Sequence, residues 1–287
     1  MIELNIQHKI IYRYSRPVSL WPHRLLLRPR ESRDLRIVSS DLLVPPDAAV
    51  TWALDVFGNA VATATFQADA DVRIIESAVQ VQLDTVAWPV FDIAASAIRY
   101  PFRYDDAELR DLGALMLPQH PDPEGRLRDW TWRFVSSNPT DTLALLKDLC
   151  AGIPAQVLYQ SRDDEGFQLP MQTLDLGSGS CRDFAVLFVE AVRMLGFGAR
   201  IVSGYIYDPD GSMVGSDDAG STHAWAEVYV PGAGWITFDP TNRAVGGGNL
   251  IPVAVACDIR QTMPVSGSYA GMDNALESLS VSVKVTA

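Results

Sequence analysis

Three residues of this sequence have the types and the order that cysteine-based acyl transfer requires: Cys181, His223 and Asp239. Cys181 follows the Gly/Ser-rich stretch 177–180 and stands where a helical apolar pattern begins. The unpaired N–H groups and the positive dipole of a helix N-terminus favour a thiolate over a thiol. An imidazole that takes the thiol proton and a carboxylate that orients it would complete the site. A buried structural cysteine is the commoner alternative. Whether Cys181 is structural or nucleophilic therefore depends on how the surrounding elements position the three residues.

The two strands predicted to carry His223 and Asp239 are joined by a short Pro-Gly turn. If Val230 pairs with Gly234, Asp239 falls opposite Trp225. His223 is then a diagonal neighbour on the same face, at roughly 7–8 Å between backbones and within side-chain reach. A slip of one residue would place the imidazole and the carboxylate on opposite faces. The site hypothesis therefore depends on one strand register.

The helix predicted to begin at Cys181 carries apolar residues at helical spacing up to Leu195, and Gly196 ends it. This spacing predicts one buried face. Asp183, one turn into the helix, is expected to serve in capping, although its charge opposes thiolate formation slightly. Cys150 lies on the apolar stripe of an earlier predicted helix, which indicates a core residue.

Residues up to about 83 are typical of β structure. Apolar residues alternate with polar ones from Ile2 to Ile10, and several short strands separated by turn signals follow. This pattern predicts a small antiparallel sandwich. His8 falls on the apolar side, where a hydrogen-bonded core histidine is favoured over a ligand. The pattern loosens between Asp84 and Arg103, which places a domain boundary there.

The composition limits the classes of partner and cofactor. The formal net charge of −12 argues against nucleic acid and anionic membranes. Three cysteines without paired spacing, and no signal-peptide or membrane-spanning pattern, predict a cytoplasmic protein. Four dispersed histidines disfavour zinc, and the segments 208–211 and 217–218 resemble surface turns more than a calcium loop. We therefore expect no cofactor and no metal ion.

Four separated segments resemble the bacterial transglutaminase-like superfamily, whose core has a papain-like cysteine-enzyme fold. They are Gly179–Ala185, Gly196–Tyr205, His223–Trp225 and Gly234–Asn242. The resemblance implies that Cys181 is the nucleophile, His223 the base and Asp239 the orienting acid. The first ninety residues look like the β-rich region that precedes this core in bacteria, with the turn Asp55–Asn59 as the clearest mark. The alternating tail from Leu279 to Val285 looks like the family's C-terminal portion.

Together these features predict an α+β enzyme. Residues 1–90 would form an antiparallel β-sandwich of the transglutaminase-like N-terminal type. Residues 91–287 would form the papain-like catalytic core, with the cysteine helix packed on an antiparallel sheet, and a C-terminal β extension. The predicted partner is a peptide, protein or other amide substrate, and the sequence predicts no oligomeric state.

The predicted reaction cleaves an amide or peptide bond through a thioester on Cys181. Water would resolve the thioester in a peptidase or amidase, and an amine would resolve it in a protein-glutamine transglutaminase. Hydrolysis is favoured because no feature of the sequence indicates an amine-binding site. The rival hypothesis is a non-catalytic binding module with the same fold. The intact set of Cys181, His223 and Asp239 weighs against that rival.

Overall fold

The computed structural model describes residues 1–45, 48–84, 89–162, 166–216, 220–271 and 274–287. The acidic loop 163–165 and the pair Asp217–Asp218 lie outside the described residues. The N-terminal region contains six strands: β1 (Ile2–Leu20), β2 (His23–Leu25), β3 (Leu35–Leu43), β4 (Ala49–Leu54), β5 (Ala60–Thr65) and β6 (Ala70–Leu83).

The rest of the chain combines helices with further strands. The helices are α1 (Asp106–Leu112), α2 (Arg126–Trp132), α3 (Thr142–Gln156), α4 (Pro170–Leu176) and α5 (Cys181–Met194), with 3-10 turns at Gly113–Met116 and Ile259–Thr262. The strands are β7 (Arg99–Tyr100), β8 (Thr140–Asp141), β9 (Leu158–Tyr159), β10 (Ser178–Gly179), β11 (Ala199–Tyr207), β12 (Gly220–Val230), β13 (Gly234–Asp239), β14 (Ala244–Val245), β15 (Leu250–Ala256), β16 (Val265–Ser266), β17 (Tyr269–Ala270) and β18 (Leu276–Thr286).

The N-terminal strands form the predicted antiparallel sandwich. One sheet has the order β17-β1-β6-β3, with β18 also paired to β1, and the other has the order β16-β2-β5-β4. Side chains from both sheets, including Ile10, Leu25, Ala62 and Ile75, meet in one apolar cluster. The alternation along β1 thus buries one face of the strand, as its sequence predicts.

A five-stranded antiparallel sheet, ordered β14-β13-β12-β11-β15, carries α5 on one face. The α+β class and a cysteine helix packed on an antiparallel sheet are confirmed. The prediction of one buried face on α5 was too narrow, because every residue from Asp183 to Arg193 is buried. Helices α2, α3 and α4 cover the side away from the sheet. The charged pair Glu190–Arg193 tolerates this burial because its two side chains meet at 2.7 Å.

The segment that precedes α5 differs from its prediction. The sequence predicted a hairpin between residues 156–160 and 166–169. In the structure β9 instead pairs in parallel with β10, Leu158 with Ser178 and Tyr159 with Gly179. The hairpin prediction was wrong because the partner of β9 lies beyond α4, where local turn signals carry no information.

The C-terminal strands return to the N-terminal sheets. β18 runs antiparallel to β1 from Asn5 to Tyr14, β16 pairs with β2, and β17 pairs with the end of β1. The division into residues 1–90 and 91–287 stays a prediction. Within the described ranges, no helix is both long and apolar enough to cross a membrane.

Candidate active site

Cys181 is the first residue of α5, and backbone hydrogen bonds fix the chain that leads to it. The Leu158 N–H donates to the Gly177 carbonyl at 2.8 Å, and the Gln160 N–H donates to the Gly179 carbonyl at 2.9 Å. These contacts hold the Gly/Ser stretch as a short strand up to the helix start. The half-buried thiol therefore lies at the helix N-terminus, as the sequence predicts.

Asp183 is fully buried and organises the first turn of this helix. Its carboxylate accepts hydrogen bonds from the Ser180 N–H at 2.8 Å and the Ser180 hydroxyl at 2.9 Å. It also accepts from the Gln168 N–H at 2.6 Å and from Arg162 at 3.1 Å. The expected capping role is confirmed. The pairing with Arg162 was not expected, because the two residues are far apart in sequence.

The strand register on which the site depends is the predicted one. Val230 pairs with Gly234, and Ala226 pairs with Phe238. The Nε2 atom of His223 consequently lies 3.0 Å from Oδ2 of Asp239, with both side chains buried. The other ring nitrogen of His223, Nδ1, makes no aligned hydrogen bond within the described part of the chain. Nδ1 is thus the ring nitrogen that remains available to the neighbouring thiol.

Asp239 is held by its own loop. Oδ1 accepts from the backbone N–H groups of Thr241 at 3.0 Å and Asn242 at 3.3 Å. Oδ2 accepts from the Asn242 side-chain amide at 2.8 Å as well as from His223. Burial raises the pKa of Asp239, but the charge of His223 and these hydrogen bonds outweigh burial and lower it. The group is therefore an ionised carboxylate of fixed orientation.

A glycine opposite His223 allows the close packing beneath the site. Gly204 of β11 pairs with His223 of β12. A Cβ atom at Gly204 would lie 2.1 Å from the Ile251 carbonyl oxygen and 2.8 Å from the Trp225 indole. That indole stacks with the His223 ring, with 6.1 Å between centroids. Any larger residue at 204 would displace the support of the imidazole.

The electrostatics separate Cys181 from the other two cysteines. Burial alone would raise the pKa of the Cys181 thiol, but the adjacent His223, the Ala224 N–H and the charge of Arg182 together lower it. Burial lowers the pKa of His223, whereas Asp239 and then Cys181 raise it, to about 10. For Cys150 and Cys257, burial raises the thiol pKa. Only Cys181 has the environment of a thiolate paired with an imidazolium.

The thiol and the imidazole share a cavity of about 270 Å³. The core contributes polar groups to its wall, and the paired strands β1 and β18 contribute further wall residues. Besides Cys181 and His223, the wall includes His8, Ile10, Tyr12, Tyr159, Ser161, Arg162, Arg182, Ser203, Ser221, Thr222, Leu279 and Val281. A cavity of this size next to a candidate nucleophile is suited to a small part of a substrate.

Comparison with family models agrees with the resemblance seen in the motifs. Residues 4–82 match the bacterial transglutaminase-like N-terminal region. Residues 131–240 match the transglutaminase-like superfamily, and this range contains Cys181, His223 and Asp239. The chain carries a transglutaminase-like core.

A solved structure shares the whole fold. It is that of a protein from Cytophaga hutchinsonii described as a candidate cysteine protease, with a TM-score of 0.75 and 19% identity over 99% of this chain and 90% of that chain. At this identity the likeness shows the fold alone. It confirms the papain-like, transglutaminase-like architecture.

Three curated relatives are similar in sequence. An uncharacterised protein of Mycobacterium leprae is 34% identical over 108 residues, which is 38% of this chain and 37% of that protein. An uncharacterised protein of Mycobacterium tuberculosis is 26% identical over 97% of this chain and 91% of that protein. A protein-glutamine gamma-glutamyltransferase of Pseudomonas aeruginosa is 29% identical over 44% of this chain and 19% of that protein.

Two groups in the site of this transglutaminase-like core received no role from the sequence. Asn242 stood in the Gly234–Asn242 motif, and its place three residues after Asp239 was a signal that it caps the carboxylate. Arg162 gave no such signal, since its contact with Asp183 depends on how the chain folds back over α5.

Proposed function

We propose that this protein is an enzyme that cleaves amide or peptide bonds through a thioester on Cys181. The observation that carries the proposal is the arrangement of His223, 3.0 Å from Asp239, beside a thiol whose pKa it lowers. The family match and the shared cavity support the coarser statement that the enzyme depends on a cysteine.

The proposed reaction has two halves. The Cys181 thiolate attacks the carbonyl carbon of the substrate, and helix N–H groups that include that of Cys181 stabilise the oxyanion. The C–N bond then breaks as the His223 imidazolium gives its proton to the leaving amine, which leaves a thioester and a neutral imidazole. His223 next takes a proton from water, the hydroxide attacks the thioester, and the thiolate leaves. Asp239 keeps the imidazole in the required tautomer throughout.

We propose water as the resolving group, so that the enzyme is a peptidase or amidase. The alternative is a protein-glutamine transglutaminase, which the name of the Pseudomonas aeruginosa relative favours. The same thioester serves both outcomes, so the fold does not separate them. A non-catalytic binding module is the third hypothesis. The cytoplasmic location and the amide-containing partner predicted from the sequence belong to this proposal.

To distinguish hydrolysis from transfer to an amine, the purified protein is incubated with a library of peptides, including glutamine-containing ones, with and without a fluorescent primary amine. Mass spectrometry then distinguishes cleaved chains, deamidated side chains and amine adducts. Hydrolysis predicts cleavage or deamidation that the amine leaves largely unchanged, and that Cys181→Ser abolishes. The control variant Cys150→Ser should retain the activity. Amine adducts as the main product would establish the transglutaminase alternative, and no product with any substrate would favour a binding module.

A further inference from the structure

His8 is a buried polar residue in the cavity wall that the proposed chemistry does not use. It lies on β1, is 2% exposed, and faces the same cavity as Cys181 and His223. Its Nδ1 atom lies 3.0 Å from the Tyr205 hydroxyl. Its Nε2 atom has no hydrogen-bond partner in the described ranges of the chain. A buried unpaired ring nitrogen costs stability, so its presence in this wall requires an explanation.

The contact with Tyr205 fixes the tautomer of His8. The Tyr205 hydroxyl has no other hydrogen-bond acceptor among the residues that the structure describes. A buried hydroxyl donates its proton where one acceptor is available, so it donates to Nδ1. The proton of a neutral His8 then resides on Nε2. Burial lowers the pKa of His8 to about 4, which keeps the ring neutral at physiological pH. The free position of His8 is therefore a neutral N–H donor.

Apolar side chains continue the wall from His8 toward solvent. Ile10 and Tyr12 follow on the same face of β1, and the register places Val281 opposite Ile10 and Leu279 opposite Tyr12. Val281 is 53% exposed and Leu279 is 37% exposed. Exposed apolar groups that border a cavity with a few polar donors are typical of a ligand site.

We infer that β1 and β18 bind the acyl side of a peptide substrate, with His8 Nε2–H donating to a peptide carbonyl and Ile10, Leu279 and Val281 holding an apolar side chain. This inference rests on the proposed function, since it names the substrate class of the same cavity. The N-terminal region then contributes a specificity residue, while the reacting groups stay on α5, β12 and β13.

The test compares two alkylating reagents on the full-length chain. The rate with iodoacetamide measures the reactivity of the Cys181 thiolate without contacts to the cavity wall. Benzyloxycarbonyl-leucyl chloromethyl ketone, in contrast, also presents a carbonyl and an apolar side chain to that wall. His8→Leu should slow inactivation by the leucyl reagent roughly 5- to 10-fold, which corresponds to the loss of one hydrogen bond. The iodoacetamide rate should change less than about twofold. His8→Gln, which keeps an amide donor near the Nε2 position, should recover most of the leucyl rate.

Further variants with matched controls test whether the apolar part of the cavity wall contributes to the reaction with the leucyl reagent. Val281→Asp should slow the leucyl reagent at least as much as His8→Leu, whereas Ser280→Asp, on the other face of β18, should not. His23→Leu changes a second buried histidine of the N-terminal sheets, outside the cavity wall, and should leave both rates near wild type. If His8→Leu does not fold, the pair Val281→Asp and Ser280→Asp, together with His8→Gln, decides the inference.

The outcomes separate this inference from the proposed function. Equal loss of both reagent rates in His8→Leu, or an unchanged leucyl rate in His8→Leu and Val281→Asp, would overturn the inference. With either result the wild-type Cys181 still reacts with iodoacetamide, so the proposed function stands. If wild-type Cys181 instead reacted with iodoacetamide no faster than Cys150 and Cys257, the proposed function would fail first, and the inference with it.

Discussion

The thiol of Cys181 and the imidazole of His223 change each other's ionisation in opposite directions. Burial raises the pKa of Cys150, whereas at Cys181 the effect of burial is outweighed by His223. Asp239 in turn raises the pKa of His223. These shifts favour the proposed ion pair of thiolate and imidazolium near neutral pH. The role that we propose for each residue follows from its charge in that pair.

Removing the charge of Asp239 tests this division of roles. Asp239→Asn should lower the turnover of an identified substrate by roughly 10²–10⁴-fold, because the imidazole loses the group that fixes its tautomer and stabilises its charge. The measurement is the steady-state rate, together with a circular dichroism melt that checks folding. Asp258→Asn is the matched control, since Asp258 is a buried carboxylate that pairs with Arg260 outside the cavity. A folded Asp239→Asn protein with the wild-type rate would show that Asp239 is structural.

The turn Asp55–Asn59 connects the N-terminal region to the catalytic sheet. Asn59 is fully buried. Its side-chain amide hydrogen-bonds to the backbone of Val255 in β15: Nδ2 donates to the Val255 carbonyl at 2.8 Å, and Oδ1 accepts from the Val255 N–H at 2.9 Å. Asp55 closes the turn by accepting from the Phe57 and Asn59 N–H groups. The turn therefore anchors the N-terminal region to β15 of the catalytic sheet.

Truncating that side chain should therefore weaken the fold. Asn59→Ala leaves the N–H and the carbonyl of Val255 buried without partners, which should reduce the free energy of unfolding by roughly 2–4 kcal/mol. Urea denaturation followed by tryptophan fluorescence measures it. Asn249→Ala, at an exposed asparagine, is the control and should change stability by less than about 0.5 kcal/mol. Equal stability of Asn59→Ala and wild type would mean that water or a shifted loop replaces the contact.

The sequence predicted those elements whose signals are local. The alternation along β1, the start of α5 at Cys181 and the register from Val230 to Gly234 all depend on neighbouring residues. The contacts that depend on distant parts of the chain were not predictable. The parallel pair β9–β10 and the pairing of β18 with β1 leave no trace in spacing, because either strand could satisfy its hydrogen bonds elsewhere.

The antiparallel pairing of β18 with β1 joins the N-terminal and C-terminal strands of the chain in one sheet. The first and last strands are paired, with Asn5 opposite Thr286 at one end and Tyr14 opposite Leu276 at the other. The first sheet therefore includes residues from both predicted domains. An apolar cluster that contains Ile6 and Val285 also contains Tyr205 and Ile251 of the catalytic sheet. Neither end of the chain completes this cluster alone.

We therefore expect residues 1–90 and 91–287 to unfold in one cooperative transition. Thermal melts followed by far-UV circular dichroism and by tryptophan fluorescence should coincide. Labelling of the buried Cys150 should begin at the same temperature. As a perturbation, Val285→Asp places a charge in the shared cluster and should lower the midpoint of all three signals together. Two separate transitions in the wild-type protein would show that the N-terminal region folds as an independent unit.

We propose that Cys181 is a nucleophile held as a thiolate by His223, and the pH dependence of its alkylation tests this proposal. Peptide mapping after iodoacetamide treatment gives a rate for each of the three cysteines between pH 4 and 10. Because the pKa of Cys181 is lowered, its alkylation rate should rise at a pH below about 8.5, the ordinary pKa of a thiol. Because the pKa of His223 is raised to about 10, the rate should then stay level until the pH at which His223 loses its proton. Cys150 and Cys257 should lag, since burial raises their pKa values. A Cys181 rate that rises with a midpoint near pH 8.5, unchanged by His223→Ala, would show that His223 does not hold Cys181 as a thiolate.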